Sequence, residues 1–251
     1  MKTKLFFLSA LLLAMLGVCG CGGDDEEQDI GLDEKALLSQ TEPLYKSSRS
    51  NISSLPQTEK KVGDWRFVMY GDYITEVSFG SFGNESDYAK APASAEAFFE
   101  KYLPLTKDNY LKLEEESTSG GRYHKTYLQY YKGVMVKSLY TCYYQPDDKT
   151  PQYMHGIFIP ISNLDVKPHV SEKLARRIAM SFTSKGQQET PGEGWNLSAE
   201  LRITNYIIDG EPHVHLVYDC TLWSNAPWSS EENVTIDAHT GRILTYSLLI
   251  A

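Results

Sequence analysis

Basic residues are scarce in this sequence, which has 24 Lys and Arg against 33 Asp and Glu and a formal net charge of −9. A surface this acidic repels nucleic acid and anionic lipid, so we expect neither as a direct partner. Long apolar runs are also missing, because the one run of this kind, Leu5 to Leu16, is shorter than the roughly 20 residues of a membrane-spanning helix. Hydrophobic residues still make up 41% of the chain, and Tyr occurs 17 times, which favours a folded protein rich in β-structure.

Motifs of catalysis are absent as well. The sequence contains no H-E-x-x-H, no nucleophile elbow G-x-S-x-G, no P-loop and no G-x-G-x-x-G. We therefore predict a protein without catalytic residues and without a cofactor.

Cysteine is used only four times, and two of these residues lie in the body of the chain. Cys142 and Cys220 are flanked by strand-forming residues, so they are predicted to be inert core thiols or a disulfide. In an exported chain that disulfide would contribute about 4–5 kcal/mol in the chain-entropy description.

The N-terminus is typical of an export signal. Lys2 and Lys4 precede the apolar run, and Val18-Cys19-Gly20-Cys21 follows it. This arrangement resembles the bacterial lipoprotein box, which implies a signal peptide over 1–20 and lipidation of Cys21. Cys19 is the alternative acceptor, although Val18 fits the cleaved position less well than Gly20 does. A plain secretory signal is the remaining interpretation.

An acidic stretch and then a Ser-rich stretch follow Cys21 and predict a solvated tether over 21–59. The acidic block from Asp24 to Glu34 resembles signals that direct bacterial lipoproteins to the outer face of the outer membrane. We expect a surface-exposed outer-membrane lipoprotein, with a periplasm-facing anchor as the alternative. The folded part is predicted to begin near Lys60.

From there on the patterns of strands and helices alternate. Period-two alternation predicts a hairpin around Gly71-Asp72, further strands from 112 to 161, and four strands between Glu200 and Ile250. Helices are predicted after Ser94 and Ser171, both typical N-cap residues. Strands, helix and strands thus occur twice over, which indicates an α+β fold of two antiparallel-sheet modules, each with a packed helix.

Three segments resemble the propeptides of thermolysin- and fungalysin-type metalloproteases. Gln129–Val136 resembles their Q-x-Y-x-G-[IV]-x-V signature, Ser171–Ala179 the helix that opens their PepSY module, and Ile236–Leu244 the D-A-x-T-G hairpin of that module. The resemblance implies an FTP-like module over 60–165 and a PepSY-like module over 166–251, with a cystatin-like arrangement. The motif positions have structural roles, and they are Gln129, Tyr131, Gly133, Val136, Ala175, Ala179, Asp237 and Gly241.

This resemblance implies action by shape rather than by chemistry. Such propeptides help an attached protease to fold and hold it inactive. Because the sequence runs only to Ala251 and has no protease motif, we expect binding in trans. The leading interpretation is a non-enzymatic, lipid-anchored protein that binds a protein partner, above all a secreted peptidase, as an inhibitor or a folding helper.

Two local features point to other functions. Trp223 and Trp228 bracket a loop whose rings either stack on a sugar or a peptide, or pack under the hairpin. A cell-surface glycan- or peptide-binding module that uses this loop is the alternative function. His213 and His215 share one face of a strand, as metal ligands can, but no third ligand is indicated. They are predicted to face solvent, and no metal is expected.

Overall fold

The computed structural model describes residues 31–45, 52–80, 91–119, 122–145, 150–186, 195–224 and 230–250. Within these ranges the chain forms an 11-stranded sheet and three α-helices. The helices are α1 (Glu34–Leu38), α2 (Ala95–Tyr102) and α3 (Glu172–Gly186), with a 3₁₀ turn at Ile52–Ser54. None of the described helices has both the length and the apolar composition needed to cross a membrane.

All strands except β1 overlap predicted strands, whereas β1 begins inside the predicted tether. In chain order they are β1 (Gln57–Val62), β2 (Trp65–Tyr70), β3 (Tyr73–Ser78), β4 (Asn109–Ser119), β5 (Arg122–Tyr131), β6 (Val134–Tyr144), β7 (Pro151–Gly156), β8 (Trp195–Ile208), β9 (Glu211–Ser224), β10 (Ser230–Asp237) and β11 (Ile243–Ile250). Two-residue turns at Lys132-Gly133 and Asp209-Gly210 close hairpins, and all four residues have positive φ, as type I′ turns require.

Strand β6 is the junction of the sheet. One of its edges pairs with β5, and its other edge is shared between β8, which pairs in parallel through Val136 and Ile203, and β7, which pairs farther along. Gly156 ends β7 beside this junction with φ +149°, and a Cβ there would run into the carbonyl oxygen of Leu139. Only glycine fits this position without displacing the backbone of β6.

The predicted division into two separate antiparallel-sheet modules, each with a packed helix in a cystatin-like arrangement, is wrong. The chain is mostly β, and nine of its strands follow one another in one continuous, curled sheet in the order β1-β2-β3-β7-β6-β8-β9-β10-β11. The other two strands branch from β6, which pairs with β5, and β5 pairs with β4. Periodicity identifies each strand, but it does not specify which strand edges meet. The parallel pairing of β6 with β8 is a contact between distant segments, and it joins what the sequence pattern divides.

The sheet has a covered face and an open face. Phe98 and Phe99 of α2 and Leu174 and Ile178 of α3 are buried against the covered face. The open face is formed by every second residue of the strands, those whose side chains point away from α2 and α3. These side chains are half-buried or exposed. Its members include Tyr110, Lys112, Arg122, Tyr130, Met135, Lys137, Leu139, Tyr143, Tyr153, His155, Asp219 and Trp223.

Residues 31–45 pack against the C-terminal strands, although the sequence predicts a solvated tether there. The Gln40 side chain donates to the Gly241 carbonyl at 3.0 Å and accepts from the Ile243 N–H at 3.0 Å. Three leucines of this segment, Leu32, Leu37 and Leu38, contact the core cluster under α3. Strand β1 also begins at Gln57, before Lys60, near which the folded part is predicted to begin. The acidic and polar composition of this range masks the few apolar residues that attach it.

Candidate functional site

Gln129 is the centre of a buried hydrogen-bond network. Its amide nitrogen donates to Asn109 Oδ1 at 2.7 Å and to the Ile159 carbonyl at 2.6 Å, and its amide oxygen accepts from the Ile159 N–H at 2.9 Å. Both polar side chains are almost fully buried. The network ties β4 and β5 to the segment after β7, so Gln129 has the structural role expected of a motif residue.

The other motif residues of the first half and of α3 are also structural. Tyr131 and Val136 are buried in the cluster under α3, and Gly133 supplies the positive φ of the turn between them. Ala175 and Ala179 are fully buried, which lets α3 lie close to the sheet. These side chains leave no reactive group exposed.

Asp237 organises the turn between β10 and β11. Its Oδ1 accepts from the N–H groups of His239 and Thr240 at 3.0 and 2.8 Å and from the Thr240 hydroxyl at 3.0 Å. Gly241 completes the turn with φ +71°, and a Cβ there would lie 2.7 Å from a methyl of Leu37. The motif therefore closes the hairpin and also makes room for the N-terminal segment.

His215 bonds to Asp237 instead of facing solvent as predicted. Its Nδ1 lies 2.8 Å from Asp237 Oδ2, and its Nε2 lies 3.3 Å from the hydroxyl of Tyr45. Burial raises the pKa of Asp237, but the hydrogen bonds from His215 and Thr240 outweigh it, so this pKa is below its ordinary value. Burial, with the nearby Asp237, raises the pKa of Tyr45, which makes a phenolate nucleophile unfavourable.

Tyr45 was not identified from the sequence. Its ring packs 4.8 Å from Tyr206, and its N–H donates to the Leu244 carbonyl at 2.7 Å. The only signal for its role is an aromatic residue in an otherwise polar stretch. We interpret the Tyr45–His215–Asp237 chain as a structural attachment of the N-terminal segment.

Cys142 and Cys220 are both free, buried thiols. They belong to different core clusters, one under α2 and one under α3, so the predicted alternative of a disulfide is not realised. Burial raises the pKa of each thiol to about 12, which keeps both protonated and unreactive at neutral pH.

The possible binding loop is described only in part, and the two histidines that were weighed as metal ligands both lie in β9. Trp223 is half-buried on the open face near the end of β9, whereas Trp228 and Cys21 lie outside the described residues. His213 is exposed, and it is two residues from the engaged His215. Within the described ranges, no three His, Cys, Asp or Glu side chains gather as a metal site would need.

A cleft of about 310 Å³ opens on the open face of the sheet, across β5, β6 and β7. Arg122, Tyr143, Gln152, Tyr153 and His155 line it. The rings of Tyr143 and His155 stack at 5.6 Å with 24° between their planes, and Tyr153 lies 6.1 Å from Tyr143. We call these five residues the aromatic cleft. Aromatic residues alternate with other residues along β6 and β7, which is the one sequence signal of this cleft. The residues come together only because β5, β6 and β7 pair.

The aromatic cleft combines neutral polar groups with one cation. Burial lowers the pKa of His155, and burial together with the nearby Glu76 raises the pKa of Tyr153 to about 12. Tyr143 and His155 also lie within hydrogen-bonding distance of each other, with 3.3 Å between the hydroxyl and Nε2. Arg122 is exposed and is the one charged residue of the lining, while Glu76 of β3 lies opposite His155 beside the cleft.

The edges of the sheet differ in chemistry. β1 is fully exposed and carries Glu59, Lys60 and Lys61, and β4 carries three successive glutamates, Glu114 to Glu116, with a bulge beside them. β11, with the sequence ILTYSLLI, has no charged residue and no proline. Charge and bulges protect an edge from pairing with another chain; the register of β11 against β10 shifts at Leu244, and from Thr245 onward β11 has neither.

Comparison of the chain with the known protein families and with the curated proteins found no match. The resemblance to metalloprotease propeptides therefore rests on the sequence motifs and stays a prediction.

Proposed function

We propose that this protein is a non-enzymatic, lipid-anchored binding protein that takes an extended segment of a secreted peptidase onto the edge of β11. The observation that carries the proposal is the difference between this edge and the other two. An unpaired, uncharged strand edge can form main-chain hydrogen bonds to an added strand, while its alternate side chains contact those of the partner.

The start of β11 already accepts two hydrogen bonds from the backbone of the N-terminal segment. The N–H groups of Leu44 and Tyr45 donate to the carbonyls of Ile243 and Leu244 at 2.9 and 2.7 Å. From Thr245 onward, no described segment pairs with this edge. Leu248 is 44% exposed there and offers apolar surface to a partner. Glu231 is exposed on the neighbouring strand β10, so a partner segment with a basic residue near it would be favoured.

The absence of catalysis is proposed on chemical grounds. The two described thiols are buried and protonated. The sequence also lacks the motifs that activate a serine nucleophile, bind a catalytic metal or bind phosphate groups. The choice of a peptidase as the partner comes from the propeptide resemblance. Inhibition and assistance of folding are both compatible with strand addition, because each requires only that the complex form.

The test uses the full chain to capture proteins from the secreted fraction of the source organism, followed by identification and assay of any captured peptidase. We expect the protein to slow that peptidase or raise its refolding yield. Hydrogen exchange of the complex should show new protection of alternate N–H groups between Thr245 and Ile250, because those that point away from β10 would enter a new ladder. Protection confined to other strands would contradict the proposed site.

A matched pair of variants separates this edge from general surface effects. Leu248→Lys adds a charge to the edge of β11, and Leu113→Lys adds one to the edge of β4, where the leucine is 37% exposed. We expect at least tenfold weaker binding for Leu248→Lys and less than a twofold change for Leu113→Lys. Equal effects of the two changes, or capture of no peptidase, would refute the proposal.

The lipid anchor is a separate part of the proposal. If Cys21 is lipidated, the mature chain should partition into the detergent phase, and Cys21→Ala should leave it unprocessed or soluble. A Cys21→Ala chain that stays in the membrane fraction at the mature size would exclude this assignment.

A further inference from the structure

The aromatic cleft lies away from β11, and the proposed strand addition does not use it. Three neighbouring strands build it, because Arg122 begins β5, Tyr143 is near the end of β6, and Tyr153 pairs directly with Tyr143 from β7. Its five residues come from two hairpins, so the cleft exists only when the sheet is assembled. Its volume of about 310 Å³ is at the lower end of small-molecule sites.

Arg122 is the distinctive charge of this cleft. Four of the five other arginines in the described part of the chain form ion pairs with carboxylates: Arg66 with Glu59, Arg176 with Glu172, Arg177 with Glu34 and Arg202 with Glu200. The fifth, Arg242, precedes β11 and does not line the cleft. Arg122 has no such partner among the described residues. Arg122 is exposed where it lines the cleft, so its guanidinium can reach a ligand anion there. Its planar geometry suits a carboxylate, which can accept two parallel hydrogen bonds.

The remaining lining groups are neutral and both donate and accept hydrogen bonds. Gln152 has an amide, Tyr143 and Tyr153 have hydroxyls, and His155 has an imidazole that burial holds in its neutral form. Their rings add apolar surface between these polar atoms. Ligands that match such a wall have several hydroxyl groups on a ring whose C–H groups can contact aromatic carbon.

We infer that the aromatic cleft binds an acidic sugar residue, a hexuronate ring of a glycan. Its carboxylate pairs with Arg122, and its hydroxyls exchange hydrogen bonds with Tyr143, Gln152 and His155. The cleft holds one or two rings and leaves the rest of the glycan outside. A helix or a folded protein domain is too large for a cleft of this volume.

The test measures binding of trigalacturonate and of the neutral trisaccharide maltotriose to the full chain by calorimetry. We expect trigalacturonate to bind at least tenfold more tightly, because a charge-assisted pair is lost with the neutral sugar. Equal binding of the two sugars, or no binding of trigalacturonate at millimolar concentration, would overturn the inference. Tighter binding of a tripeptide with a free terminal carboxylate would assign the cleft to a peptide instead.

Three variants locate the interaction. Arg122→Gln should weaken trigalacturonate at least tenfold and leave maltotriose unchanged, and Arg122→Lys should restore only part of the loss because it cannot pair in a bidentate manner. Lys112→Gln removes a positive charge from the same open face outside the cleft and should change the affinity less than twofold. Equal losses for Arg122→Gln and Lys112→Gln would show unspecific attraction and overturn the assignment. Melting temperatures of the variants establish that each remains folded.

Discussion

Replacement of Gln129 by Met gives the most direct test of how the fold is held together. Met is unbranched and close in size to Gln, so the change removes polar atoms while it nearly conserves volume. In the native protein the Gln129 amide makes three hydrogen bonds, two of them with the backbone of Ile159. The side chain is 0% exposed, so water cannot replace these bonds.

The expected cost follows from the groups that lose their partners. The Ile159 N–H and Asn109 Oδ1 become unsatisfied, whereas the Ile159 carbonyl keeps its bond from the Asn109 amide at 3.1 Å. At about 1–3 kcal/mol for each buried unsatisfied group, the loss is about 2–6 kcal/mol of the free energy of unfolding. A loss near the middle of that range lowers the melting temperature by about 10 °C for a chain of this size.

Two further substitutions make the test discriminating. Asn109→Leu should cost less than Gln129→Met, because Gln129 still satisfies both backbone groups of Ile159. Gln57→Met is the surface control, since Gln57 is exposed on β1 and should change stability by less than about 0.5 kcal/mol. The measurement is urea unfolding followed by circular dichroism. If Gln129→Met is no more destabilising than Gln57→Met, the reasoning about the network is wrong.

Two other predictions concern the junction and the C-terminal turn. Gly156→Ala should lower the free energy of unfolding by more than Gly210→Ala does in the same urea assay. Both glycines have positive φ, but only Gly156 has backbone atoms in the path of a Cβ. Equal losses of unfolding free energy would contradict the steric argument. The folded-state pKa of Asp237 is below its ordinary value of 3.8, so its ionised form contributes stability that is present above about pH 4 and is lost as the pH falls through the folded pKa. Asp237→Asn should therefore lower the melting temperature at pH 5 and reduce the fall of the melting temperature between pH 5 and pH 3. Glu114→Gln on the exposed edge is the control. An unchanged pH profile of the melting temperature in Asp237→Asn would refute the stabilising role of the Asp237 carboxylate.

Local features of the sequence predicted local structure well. Ser94 and Ser171 cap α2 and α3 through their side-chain oxygens, as predicted. Lys132-Gly133 and Asp209-Gly210 form two-residue turns, in which the glycine accepts a positive φ without a steric cost. The site was less accessible to such reasoning. The aromatic cleft needs β5, β6 and β7 in one register, and the network of Gln129 needs Ile159, which is thirty positions away.

What the sequence alone determined is most of the strands, the caps of α2 and α3 and the absence of known catalytic motifs, since each depends on residues within a few positions of one another. Only the tertiary structure decided how these pieces meet. The parallel pairing of Val136 with Ile203 merged two predicted modules into one sheet, and the contact of Gln40 with the last hairpin brought an apparent tether into the fold. Both are contacts between distant segments, and their free energy comes from backbone hydrogen bonds and apolar burial that no local pattern records.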